Sequence, residues 1–130
     1  MKKLNPYLMF SGNCREALTF YQECLDGDIV SIQTFADSPL DVSEEHGHRI
    51  FNSEFRAGEL FFMASDDLPD HQVTKGSNFA MFVVFSTREE QEGVFGRLSE
   101  GGKVLFPLNN GFGMLADKFG IQWMVAVGRK

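Results

Sequence analysis

The chain has 130 residues, a formal net charge of −6, and hydrophobic and charged fractions of 43% and 23%. That composition is ordinary for a globular protein, and the length fits one domain or two small halves sharing a core. The acidic balance argues against nucleic acid or an anionic membrane as partner, because both select basic patches.

No run approaches the roughly 18 apolar residues of a membrane span. Met1-Lys2-Lys3 is not followed by an apolar segment of the secretory kind, so the expected location is cytoplasmic. Fourteen phenylalanines point to a core or cavity with aromatic walls.

Pro6, Leu8 and Phe10 alternate with Tyr7 and Met9, as in a strand. Ser11, Gly12 and Asn13 break the run, and Asn13 with Glu16 has the spacing of a helix N-cap. Ala17, Leu18, Phe20, Tyr21, Cys24 and Leu25 follow at helical spacing, and Gly27 reads as a left-handed helix stop. Cys14 and Cys24 lie about 15 Å apart along that helix and cannot bond to each other, which suits reduced thiols. Cys14 sits in the first turn, where the helix dipole is able to lower its pKa. Residues 29–35 form a second strand, and 36–48 a long polar loop. Residues 49–56 and 60–64 form a hairpin through Ala57-Gly58, with Asn52, Glu54 and Arg56 facing away from Phe51 and Phe55.

Residues 67–77 read as a linker, in which Asp67 and Asp70, with Asp66 just before them, make a solvated acidic patch. Residues 78–85 are apolar enough for a strand buried on both faces. Thr87 and Glu90 have capping-box spacing ahead of a helix with Val94, Phe95 and Leu98 as its stripe. Gly101-Gly102 stops it, and residues 104–106, 111–116 and 121–127 are three more strands. An offset of 75 carries Phe10-Ser11 to Phe85-Ser86, Phe20 to Phe95 and Gly27 to Gly102. The expected fold is therefore α+β, one domain over 1–130 built from two βαβββ modules, 1–66 and 78–130.

The stretch N-P-Y-L-M-F-S-G-N-C-R-E-A-L-T-F-Y (5–21) and the hairpin F-G-M-L-A-D-K-F-G-I-Q-W-M (112–124) resemble the PhnB-like branch of the vicinal oxygen chelate superfamily. That superfamily includes glyoxalase I, bleomycin-resistance proteins and extradiol dioxygenases. The resemblance implies curled mixed sheets around a cavity and a homodimer. Some members carry a demethylubiquinone methyltransferase label. The glycine-rich loop of a doubly wound sheet that such a reaction normally uses is not visible, so that activity is not expected.

Metal-using members of the superfamily take ligands from the first and last strands of each module, and the ion stabilises an enolate-like charge on the substrate. Counting back from Phe20-Tyr21 places the first of these positions on Pro6. The offset gives Met81, and the last-strand positions fall on Met124 and on Met63 or Phe62. None is an imidazole or carboxylate, the donors that suit such an ion, so neither metal nor cofactor is expected. His46 and His48, beside Glu44 and Glu45, read as solvated loop residues, as does His71.

Where the branch commonly has a histidine two residues before a glutamate, this chain has Asn52 and Glu54. The expected function is binding of a small, partly apolar molecule in a cavity lined by Leu8, Phe10, Asn52, Glu54, Met63, Met81, Phe112 and Met124. Methionine suits such an adaptable wall. The alternative is a metal-independent lyase or isomerase with Glu54 as base, its pKa raised among phenylalanines, and Asn52 orienting the substrate.

Overall fold

The computed structural model describes residues 2–128. Its two compact units are Met1–Val73 and Thr74–Lys130, and the division falls within the stretch read as a linker. The first unit contains β1 (Tyr7–Phe10), α1 (Cys14–Leu25), β2 (Asp28–Thr34), β3 (Ile50–Ala57) and β4 (Leu60–Asp66). The second contains β5 (Met81–Phe85), α2 (Arg88–Ser99), β6 (Lys103–Asn109), β7 (Phe112–Ala116) and β8 (Gln122–Val127).

The sheets run β1-β4-β3-β2 and β5-β8-β7-β6. In each, the first and last strands of the unit pair in parallel, and the other neighbours are antiparallel. This is the α+β arrangement of two βαβββ modules that the internal offset predicts. The polar loop after β2 is partly ordered by short 3-10 turns at Phe35–Asp37 and Glu44–His46.

Each sheet has one face covered by its own helix. In the first, Phe55 and Phe62 stack with ring centroids 4.9 Å apart, and Tyr21 of α1 meets Phe62 edge-on at 5.7 Å. Leu8, Phe10, Ser53 and Ala64 share that buried face. In the second unit, Val94, Phe95 and Leu98 of α2 are buried with Leu115, Trp123 and Val125. Phe95 lies so close to Gly113 that a Cβ there would come 2.9 Å from its ring.

The expectation of a strand buried on both faces at 78–85 is corrected. Only residues 81–85 form β5, and Phe82 and Val84 are 58% and 56% exposed. One helix per sheet leaves the opposite side of the strand uncovered.

The helix ends also differ from expectation. Asn13 makes no side-chain cap bond, whereas Thr87 does cap α2, accepting from the Glu90 N–H at 3.1 Å. The left-handed residues are Asp26 (φ 53°) and Gly101 (φ 76°), which correspond under the offset. Gly27 and Gly102 serve another purpose. A Cβ on Gly27 would lie 2.6 Å from the Phe55 ring and 2.8 Å from the Arg56 carbonyl oxygen. One on Gly102 would lie 2.2 Å from the Ala116 carbonyl oxygen.

Both glycines therefore let the chain entering the next strand press against the hairpin. Gly102→Ala should cost at least about 2 kcal/mol, because the obstructing atoms are backbone and cannot swing aside. Equilibrium urea unfolding checks this, and Gly96→Ala, where a Cβ meets nothing within 4 Å, is the control.

Candidate ligand-binding site

The faces turned away from the helices carry matching cross-strand rows. In the first unit, Tyr7 of β1 pairs with Met63 of β4, Met63 with Glu54 of β3, and Glu54 with Ser31 of β2. In the second, Phe82 pairs with Met124, Met124 with Met114, and Met114 with Phe106. Tyr7 and Met9 are 45% and 46% exposed. Glu54 is held in its row by the Ser31 hydroxyl, which donates to Glu54 Oε1 at 2.9 Å. Asn52, opposite Gln33 and on the same side as Glu54, has a buried Oδ1 with no hydrogen-bond partner.

Of the residues expected to line a cavity, the structure therefore brings Met63, Asn52 and Glu54 to one open face. Met124 and Phe112 lie on the open face of the other sheet, and Phe112 also borders a recess of about 460 Å³ with Phe106, Pro107, Leu108 and Asn109. Leu8, Phe10 and Met81 are elsewhere. All three are buried on helix-covered faces, Met81 opposite Trp123. Counting back from the helix crosses a turn, and a slip of one residue in a strand exchanges its faces. The open-face neighbours of Met63 and Met124 are Tyr7 and Phe82, not Pro6 and Met81.

Correcting the register does not create a site for a hard divalent ion. Tyr7, Met63, Phe82 and Met124 offer one phenol, two thioethers and a hydrocarbon ring, and thioethers are soft ligands. Among the described residues no three His, Cys, Asp or Glu side chains are grouped to hold a metal ion. His46 Nε2 lies 3.4 Å from Glu45 Oε1 and His71 Nδ1 3.7 Å from Asp67 Oδ1. The donor set does not fit the superfamily's metal chemistry.

One residue expected to be solvated is central here. Asp66 is 4% exposed at the end of β4. Its Oδ1 accepts from the N–H groups of Gly12 and Cys14, both at 2.9 Å, and its Oδ2 accepts from Ile50 N–H at 2.9 Å. It thus takes the part expected of Asn13, tying the start of α1 to the start of β3.

The Cys14 pKa moves opposite to the lowering that its place in the first turn makes possible. Burial pushes the thiol from 9.0 up to about 12, with the Asp66 carboxylate adding to the rise, while a Ser53 hydrogen bond and Arg15 oppose it. Both cysteines are buried. In the second unit, Asp117 ties the turn of the 112–124 motif. Its Oδ1 accepts from Phe119 and Ile121 N–H, and its Oδ2 accepts from the Trp123 indole N–H at 2.9 Å.

The family model for 3-demethylubiquinone-9 3-methyltransferase matches residues 2–126. The chain belongs to that family. It is similar over its full length to protein PA1353 from Pseudomonas aeruginosa, at 32% identity, TM-score 0.88 and 100% of both chains covered. It is also similar to a putative 3-demethylubiquinone-9 3-methyltransferase, PhnB protein, from Bacillus cereus. That match has 28% identity and a TM-score of 0.77, covering 98% of this chain and 100% of the other. FosX, a fosfomycin resistance protein from Listeria monocytogenes, shares 8% identity at TM-score 0.69, covering 98% and 92%. That likeness is one of fold alone, and it agrees with the glyoxalase/bleomycin-resistance architecture. Among the described residues no helix is long and apolar enough to cross a membrane.

Three outcomes follow from the buried cluster. Asp66→Ala leaves three N–H groups, two of them buried, without an acceptor and should cost roughly 3 kcal/mol or more by urea unfolding. Neither thiol should react with a disulfide reagent at pH 8 in the native protein, whereas both should react in denaturant. Because the folded Cys14 pKa is raised, its contribution to stability is complete below about pH 9 and is lost as pH rises towards 12. Cys14→Ala should remove that part of the alkaline slope.

Proposed function

We propose that the protein binds a small, partly apolar molecule without a metal, and that the open sheet faces are its binding surfaces. The observation that supports this most is the pair of rows running through Tyr7–Met63 and Phe82–Met124. Aromatic and thioether groups stand there, and such groups hold apolar ligands of varied shape. Asn52 and Glu54 supply the polar points, and the unpartnered Asn52 Oδ1 calls for a ligand group able to donate a hydrogen bond. In this reading Tyr7 and Phe82 replace Leu8 and Met81 as wall residues.

The family description names a methyl transfer. The glycine-rich loop and doubly wound parallel sheet through which such enzymes normally bind their cofactor have no counterpart in sheets ordered β1-β4-β3-β2 and β5-β8-β7-β6. A base role for Glu54 is the rival reading, since Ser31 fixes the carboxylate on the open face.

Native mass spectrometry of what co-purifies would identify the ligand, and calorimetry on variants then tests the wall. Met63→Ala and Phe82→Ala should each weaken binding by about 1–3 kcal/mol. Unchanged affinity in both would reject the open faces as the binding surface. Glu54→Gln should leave affinity within about 1 kcal/mol, and turnover by the wild type that this variant abolishes would favour the enzyme. A homodimer is also part of the proposal, because the edge strand β5 presents exposed Phe82 and Val84. Sedimentation at micromolar concentration should show a dimer, and a monomer alone would reject it.

A further inference from the structure

Arg49 precedes β3 and is 9% exposed, yet its buried Nε has no hydrogen-bond partner. Among the described residues no carboxylate lies within ion-pair distance of its guanidinium. That is an expensive way to keep a cation, since a buried charge is ordinarily paired or hydrogen-bonded.

The guanidinium lies against Gly12, two residues before α1. A Cβ on Gly12 would be 3.2 Å from Nη2, 3.4 Å from Cζ and 3.6 Å from Nη1. Gly12 has φ +102°, so a glycine there both permits the turn and leaves the arginine room. The N-terminal end of the 12-residue α1 adds N–H groups and the positive end of the helix dipole. Asp66 takes only the Gly12 and Cys14 N–H groups there, and the Asn13 side chain caps none.

We propose that Arg49 and the N-terminal end of α1 form a binding site for a small oxyanion, free or as the anionic head of a larger molecule. A planar guanidinium matches the paired oxygens of phosphate or carboxylate, and unsatisfied helix N–H groups supply further donors. The carboxylates of Asp66 and Glu16 nearby set a ceiling on affinity, so the expected Kd for inorganic phosphate is on the order of 1 mM. The proposal stands apart from the open-face reading, because it uses different residues.

The test is a titration of the isotopically labelled full chain with inorganic phosphate at constant ionic strength, followed by nuclear magnetic resonance. Saturable shifts are expected at the Gly12, Asn13 and Arg15 amides and at the Arg49 Nε–H. Arg49→Gln should weaken binding by about tenfold or more, and Arg49→Lys by less, since a point charge replaces the fork. Acetate producing the same pattern also supports the site and assigns it to carboxylates as well as phosphate. Shifts that are absent, that chloride reproduces equally, that centre elsewhere or that persist in Arg49→Gln would overturn it. If Arg49→Gln does not fold, the wild-type map decides, because the Nε–H signal reports the contact directly.

Discussion

A four-stranded sheet covered by one helix hides one face and leaves the other open. That constraint governs both units. Because successive strand residues point to opposite sides, the helix determines, residue by residue, which side chains are core. Leu8, Phe10, Phe55 and Phe62 fall under α1, while Tyr7, Met9, Glu54 and Met63 do not. The second unit repeats the division, with Trp123 and Val125 inside and Phe82 and Met124 outside.

The helix can press onto its sheet only if the connection out of it stays close. Gly27 and Gly102 secure that closeness by lacking a side chain where the adjoining hairpin passes. At the other end of α1, the three N–H groups gathered by Asp66 join the turn before the helix to β3 and β4. Cys14 is enclosed by the same arrangement, and the environment that ties the fold together holds its thiol protonated. A position that looks reactive by its place on a helix is inert by its surroundings.

The chemistry of the open faces follows from what is left over. Neither row contains an imidazole, and the one carboxylate, Glu54, is engaged by a neighbouring hydroxyl. Such surfaces suit dispersion contacts with a few directed polar groups, as in most small-molecule sites. Arg49 lies outside these rows, beside the helix terminus.

The sequence by itself determined the element order, the doubled βαβββ plan and the apolar character of the last-strand positions Met63 and Met124. These are carried by local periodicity and by glycine and capping signals, which need no knowledge of distant residues. It also pointed to Thr87 as a cap, because the hydroxyl oxygen and the Glu90 N–H that donates to it are three residues apart. What only the tertiary structure decided is the set of facts that join remote segments. The partnership of Asp66 with Gly12 and Cys14 spans more than fifty positions, so no local pattern distinguishes it from a solvated acid. The exchange of Leu8 for Tyr7 and Met81 for Phe82 has a similar cause. Alternation shows that a strand has two faces, but which one is covered depends on where the helix packs.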